Sequence, residues 1–286
     1  MLGRVTAGLF FILLIWGNLV AGMQAGMACP DWPLCQGTLL PPLHVDVWME
    51  FLHRVIAAVA ATSLFLLARR RIVAYQGLQK GIPLAAMGLI ALEILLGGIV
   101  VVMGLPVQIT TVHFMIGLAI FLLVLYMAVC DGTTSPATVS VSGYAGLLFC
   151  VLLLVFFQAS LGAYLRHSAA GLACPDFPTC QGRLIPEIWD RPIATNFTHR
   201  LVALGTLCTA LVLYLVSLLD QRLKRMHGYL LALLCLVALQ IGVGAAVVKT
   251  GLSYPITSLH LAMTLGIIGT TLRIWMLQTG EAGRSR

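Results

Sequence analysis

GMACPDWPLCQG, residues 26–37, returns almost unchanged as GLACPDFPTCQG, residues 171–182. A loop bracketed by two cysteines and written twice decides how this chain is organised, because other landmarks repeat with it. FLHRVIA at Phe51–Ala57 matches FTHRLVA at Phe197–Ala203. LEILLGG at Leu92–Gly98 matches LQIGVGA at Leu239–Ala245, and ITTVH at Ile109–His113 matches ITSLH at Ile256–His260. The offset is 145 at the cysteines, 146 at the second landmark and 147 at the last two. Agreement to within two residues marks an internal duplication.

The 286 residues are 60% hydrophobic and only 9% charged, with a mean hydropathy of +0.99. A soluble domain would carry roughly a quarter charged residues. The chain is therefore read as an all-α integral membrane protein. Its net charge of +7 does not argue for nucleic acid, because the basic residues sit in short clusters between apolar runs, and such clusters set topology. A spanning helix needs about 20 mostly apolar residues. Eight such stretches occur, near Val5–Met23, Val47–Ala68, Ile82–Met103, Ile109–Val129, Gly143–Leu165, Ala194–Leu219, Tyr229–Val248 and Ile256–Leu277. Arg4 and the small residues after the first stretch also suit a secretory signal. The run is long for one and has a counterpart in the second half, so a retained helix is expected.

With a cytoplasmic N-terminus, the inner side holds Arg4, Arg69, Arg70, Arg71, Lys80, Arg222, Lys224, Arg225, Arg273, Arg284 and Arg286. The outer side holds Arg54, Arg166, Arg183, Arg191, Arg200 and Lys249. The excess and the tight clusters lie inside, as the positive-inside rule requires. Both termini are then cytoplasmic and both cysteine loops face the periplasm of a bacterial inner membrane. Each half has an even number of spans, so the eight helices form two parallel-repeat four-helix bundles, related by an axis along the membrane normal. The halves are 1–130 and 143–286. The polar, turn-rich stretch DGTTSPATVSVS, 131–142, reads as a cytoplasmic linker between them.

Five residues separate Cys29 from Cys35, and Cys174 from Cys180. Prolines and an aspartate within each loop favour a compact turn, and an oxidising outer face favours a disulfide. A structural staple, a redox-active dithiol and a metal site are all compatible with the pattern. Cys130, Cys150, Cys208 and Cys235 lie in or beside apolar runs and read as small core residues.

Of seven histidines, His44, His167 and His227 fall in loops. His53, His113, His199 and His260 fall inside spans, where an imidazole is costly enough to suggest a task. At 1.5 Å per residue all four lie in the outer third of the bilayer. Each half thus offers two imidazoles at one depth, from its second and fourth helices. Two facing histidines in a four-helix bundle meet the requirement for bis-histidine haem ligation. Gly97, Gly98, Gly117, Gly244 and Gly266 would make room for a flat ring. Arg54 and Arg200 follow the second-helix histidines and are candidate propionate contacts, with snorkelling to lipid phosphate as the alternative.

The halves differ in their acids. Glu50 stands three residues before His53 and on the same helix face, and Asn196 takes its place in the second half. The equivalent of Glu93 in the second half is Gln240. An ionisable group in the membrane is a functional candidate. The half with carboxyls is expected to do chemistry while the other holds a cofactor.

Together, CPDWPLCQG, CPDFPTCQG, EFLHR at Glu50–Arg54, NFTHR at Asn196–Arg200, TVHFMIG and SLHLAMT resemble the haem A synthase family over nearly the whole chain. The resemblance implies an oxidoreductase that converts the C8 methyl of haem O to a formyl group through a hydroxymethyl stage, haem I. It implies haem b as cofactor on His199 and His260, and haem O as substrate between His53 and His113, so that all four histidines are iron ligands. Glu50 matches the catalytic glutamate, and the pairs Cys29–Cys35 and Cys174–Cys180 match the family's disulfides. A haem O synthase as supplier and terminal oxidase assembly as destination are implied as well. The second half carries Arg166 before its loop and the first half has no counterpart, which makes Arg166 a further candidate propionate contact. A diheme b-type electron-transfer cytochrome, a quinone-linked thiol oxidase and a haem exporter are the competing readings. The sequence leaves homo-oligomerisation, the electron acceptor and the role of Glu93 open.

Overall fold

The structure, a computed structural model, describes residues 1–131 and 143–282, with the side chains of 280–282 set aside. The linker expected at 131–142 lies outside the described residues except for Asp131. Eight helices among them are long and apolar enough to cross a membrane: α1 (Leu2–Gly22), α2 (Val45–Ala74), α3 (Gly81–Val102), α4 (Val107–Val129), α5 (Gly143–His167), α6 (Arg191–Leu219), α7 (His227–Lys249) and α8 (Tyr254–Ala282). The chain is an all-α, multi-pass membrane protein. Helices are the expected solution, because a lipid-facing backbone must satisfy its polar groups within its own segment.

The helix ends differ from the apolar runs in instructive places. α2 continues past Ala68 through the Arg69–Arg71 cluster to Ala74. Arg71 there donates from Nε to the Met127 carbonyl (2.9 Å) and from Nη1 to that of Asp131 (2.9 Å), and the Tyr75 hydroxyl donates to the Cys130 carbonyl (2.6 Å). These donors satisfy carbonyls at the end of α4 that have no partner within their own helix. α6 begins before its apolar run because Asp190 caps it, accepting from the Ile193 N–H at 2.8 Å, with proline in the first turn.

The chain forms two compact units, one carrying α1–α4 and the other α5–α8. In the first unit each helix packs on the next in chain order and α4 closes back on α1. α2 and α4 therefore stand at opposite corners and barely touch. The second unit repeats the ring, α5 on α6, α6 on α7, α7 on α8 and α8 on α5, with α6 and α8 on the diagonal. In both units the helices at opposite corners are the ones that carry the histidines.

Cys150, Cys208 and Cys235 correct the sequence reading. Of the free cysteines among the described residues Cys130 is buried, and these three stand on exposed helix faces. Lipid is as apolar as a core, so an apolar run does not tell the inside of a bundle from its outside. His44, His167 and His227 sit at helix ends, immediately before α2, at the last residue of α5 and at the first of α7.

Candidate functional site

The cysteine loops set one end of each site. The Cys29 and Cys35 sulfurs are 1.91 Å apart and those of Cys174 and Cys180 1.97 Å, so both pairs form disulfides. Each loop is wound around its aspartate. Asp31 accepts from the N–H groups of Gln36 (2.6 Å) and Gly37 (2.8 Å), and Asp176 from those of Gln181 (2.7 Å) and Gly182 (2.8 Å). The Gly37 N–H is the largest influence holding the Asp31 carboxyl below the usual range. For Asp176 the Thr179 hydroxyl is the largest, followed by the Gly182 N–H, and the group is brought to about 2. Each disulfide is fully buried. One packs on Val47 and Phe51 of α2, the other on Ile193 and Phe197 of α6, so each loop is seated on the helix that carries a histidine one turn further in.

An arginine ties loop to helix in both units. Arg54 donates from Nη1 to the Asp31 (2.7 Å) and Leu34 (2.5 Å) carbonyls and from Nη2 to that of Cys29 (2.8 Å). Arg200 donates to the Asp176 (2.7 Å), Thr179 (2.6 Å) and Cys174 (2.6 Å) carbonyls. The Nε groups reach back one turn, from Arg54 to Glu50 Oε1 at 3.0 Å and from Arg200 to Asn196 Oδ1 at 3.1 Å. A guanidinium has five donors, and four are engaged in each case, leaving one for any propionate. Arg166 has looser company, with Nη1 3.5 Å from Thr257 Oγ1.

Glu50 is buried at 6% exposure and ion-paired to Arg54. Asn196 is as deeply buried and donates to the carbonyls of Ala170 (3.1 Å) and Gly171 (2.9 Å). The swap thus replaces an amide that closes a backbone gap with a carboxylate whose near partner is an arginine.

Each of the four membrane histidines abuts a glycine on a neighbouring helix. A Cβ placed on Gly17 would stand 3.0 Å from His53 Nε2, and one on Gly162 3.3 Å from His199 Cε1. On Gly97 it would stand 3.4 Å from His113 Cε1, and on Gly244 3.1 Å from His260 Cε1. Gly97 and Gly244 were singled out in the sequence as room for a flat macrocycle; here they lie against imidazoles. Gly17 and Gly162 were missed, although their separation of 145 is the repeat's own offset. Gly98 instead admits the Trp32 ring (3.1 Å) and Gly117 the Glu93 carboxyl (3.0 Å), while a Cβ on Gly266 meets nothing within 4 Å. The Nδ1 atoms of His113, His199 and His260 are buried with no hydrogen-bond partner among the described residues. Glu93 Oε1 lies 3.3 Å from His113 Nδ1, an ion-pair distance without hydrogen-bond geometry. In the second unit Gln158 Nε2 donates to the His199 carbonyl (2.7 Å), and Gln240 Nε2 to the His260 carbonyl (2.9 Å) and to Thr264 Oγ1 (2.7 Å). Two open grooves lie elsewhere. An apolar one of about 470 Å³ runs between α1 and α2 along Leu9, Val59 and Leu66, and one of about 460 Å³ is lined by Arg4, Arg71 and Asp131.

The chain is thus a multi-pass, all-α membrane protein of two four-helix units, each with histidines on helices at opposite corners. The chain belongs to the family described as cytochrome oxidase assembly protein, whose model matches residues 43–272. Its relatives narrow that further. It is 32% identical over 286 residues to the Heme A synthase of Halalkalibacterium halodurans, covering 94% of this chain and 93% of that protein. The Heme A synthase of Shouchella clausii is 28% identical over 280 residues, covering 95% and 91%. That of Symbiobacterium thermophilum is 27% identical over 279 residues, covering 92% and 88%.

Proposed function

We propose that this chain is an oxidoreductase that makes haem A, oxidising the C8 methyl of haem O to a formyl group for cytochrome oxidase maturation. Family membership and full-length similarity to proteins named Heme A synthase support the activity. The observation that supports the reading of the site is the diagonal placement of α2 with α4 and of α6 with α8, the helices that carry His53 with His113 and His199 with His260.

The residues present fit haem. Among the described residues, three of the four imidazoles have a buried ring nitrogen with no hydrogen-bond partner, and each ring lies against a glycine of a neighbouring helix. In the second unit His199 and His260 would hold haem b, which supplies one-electron chemistry when bound. In the first unit His53 and His113 would receive haem O as substrate. Two successive oxidations of the methyl, each taking one water oxygen, releasing two protons and passing two electrons to an external acceptor, lead through the hydroxymethyl to a hydrated aldehyde that loses water. Glu50, one turn from His53 and paired with Arg54, would stabilise positive charge developing at the edge of the macrocycle. Arg54 fixes that carboxylate by anchoring itself to the cysteine loop. Arg166, with one long contact among the described residues, is the candidate for a haem b propionate. With clusters such as Arg69–Arg71 on the cytoplasmic side, the cysteine loops would face the periplasm of an inner membrane.

The Glu50→Ala variant tests the reading directly. Co-expressed with a source of haem O, it should retain haem but yield at least 100-fold less haem A on extraction and mass analysis, in line with loss of a group that acts only in the transition state.

A further inference from the structure

We infer that Glu93 is a positioning residue that acts through His113, making the macrocycle of the first unit easier to oxidise than that of the second. This rests on the proposed ligation of iron by His113. Glu93 Oε1 stands 3.3 Å from His113 Nδ1, and its other oxygen is buried without a partner among the described residues. The carboxyl reaches that place because residue 117, one turn beyond His113 on α4, is glycine. A Cβ there would lie 3.0 Å from Glu93 Oε1.

The repeat supplies the control. At the same offset of 147, Glu93 becomes Gln240, His113 becomes His260 and Gly117 becomes Thr264. There the threonine fills the gap and takes the Gln240 amide at 2.7 Å, while a second donated bond ties that amide to the His260 carbonyl at 2.9 Å. Neither Nδ1 makes a hydrogen bond among the described residues, but that of His113 has the Glu93 carboxyl at 3.3 Å whereas that of His260 has no acid beside it. Two positions thus change together, glutamate with glycine in one unit and glutamine with threonine in the other. Only the first arrangement offers a carboxylate to the imidazole.

Which ring nitrogen meets a metal is set by the hydrogen bond the other makes. A small shift of the Glu93 carboxylate, 3.3 Å away, would let it accept from Nδ1–H, leaving Nε2 for iron and raising its basicity. A more basic axial ligand stabilises the oxidised iron and enriches the ring in electrons. That suits the macrocycle that must surrender electrons from its own methyl. The second unit, whose haem only carries electrons, has no such need.

The test is a spectroelectrochemical titration of the purified holoprotein loaded with protohaem, with the first-unit transition assigned by its response to His113→Ala. Glu93→Gln should raise the first-unit midpoint by about 59 mV or more, a tenfold change in the oxidised-to-reduced ratio for one electron, and leave the second-unit midpoint in place. The reciprocal double variant, Gln240→Glu with Thr264→Gly, should lower the second-unit midpoint by a similar step. If Glu93→Gln loses the first-unit haem, the reciprocal variant decides alone. Unmoved midpoints in haem-replete variants would overturn the role of Glu93. A first-unit spectrum indifferent to His113→Ala would overturn the ligation reading itself.

Discussion

Arg54 and Arg200 show how much one side chain does in this architecture. Each directs three N–H groups at loop carbonyls and a fourth at the residue one turn back. Removing Arg200 would leave carbonyls near the buried Cys174–Cys180 disulfide without donors, and charged hydrogen bonds of this kind contribute about 2 kcal/mol each. Arg200→Ala should therefore lower the thermal midpoint and speed reduction of that disulfide several-fold, with the Cys29–Cys35 bridge as internal reference. The loop aspartates add a pH signature. The Asp176 carboxyl is brought down to about 2 from its ordinary range by the Thr179 hydroxyl, with the Gly182 N–H next. Its folded value lies below its unfolded one, so the stabilisation is complete above the unfolded value and is lost as pH falls through the interval toward 2. Reduction by a phosphine should accelerate across that interval in the wild type, and Asp176→Asn should be fast already at neutral pH. None of these contacts was legible in the sequence. Arginine after histidine reads equally as a propionate ligand, a lipid anchor or a loop clamp until the loop, 20 or more residues earlier in the chain, is folded against it.

At the scale of helices, the contact between histidine and glycine is the recurring device. The rings of His53, His113, His199 and His260 lie against Gly17, Gly97, Gly162 and Gly244 on the helix next door. A leucine at 162 would drive the His199 ring from its place. Gly162→Leu should lower haem content by one equivalent per chain while leaving first-unit haem bound, as measured by pyridine haemochrome against protein. The spans themselves were legible, since apolar length and repeat phase place eight helices near their observed positions. Their ends were not, because hydropathy stops at Arg69 whereas the backbone of α2 runs on to Ala74, and an arginine costs little where a helix leaves the hydrocarbon. Histidines and carboxyls announced themselves by being expensive in lipid. Glycines did not, because a missing side chain acquires meaning only from what approaches it. Gly17 and Gly162 were open to discovery by extending the repeat into the first helix of each half.

At the scale of the molecule, duplication followed by divergence is the organising fact. Both units keep the ring of four helices, the disulfide loop, the arginine clamp and the histidine diagonal. They part company at Glu50 against Asn196, and at Glu93 with Gly117 against Gln240 with Thr264. Under the proposed function, those positions are where a bundle that holds a macrocycle would become one that oxidises it. The most direct measurement is extraction and mass analysis of pigment from the purified chain after co-expression with a haem O source, wild type beside Glu50→Ala. Haem A from the wild type, with haem O retained and unconverted in the variant, is the expected result. A colourless wild type, or haem A formed at the normal rate without Glu50, would contradict it.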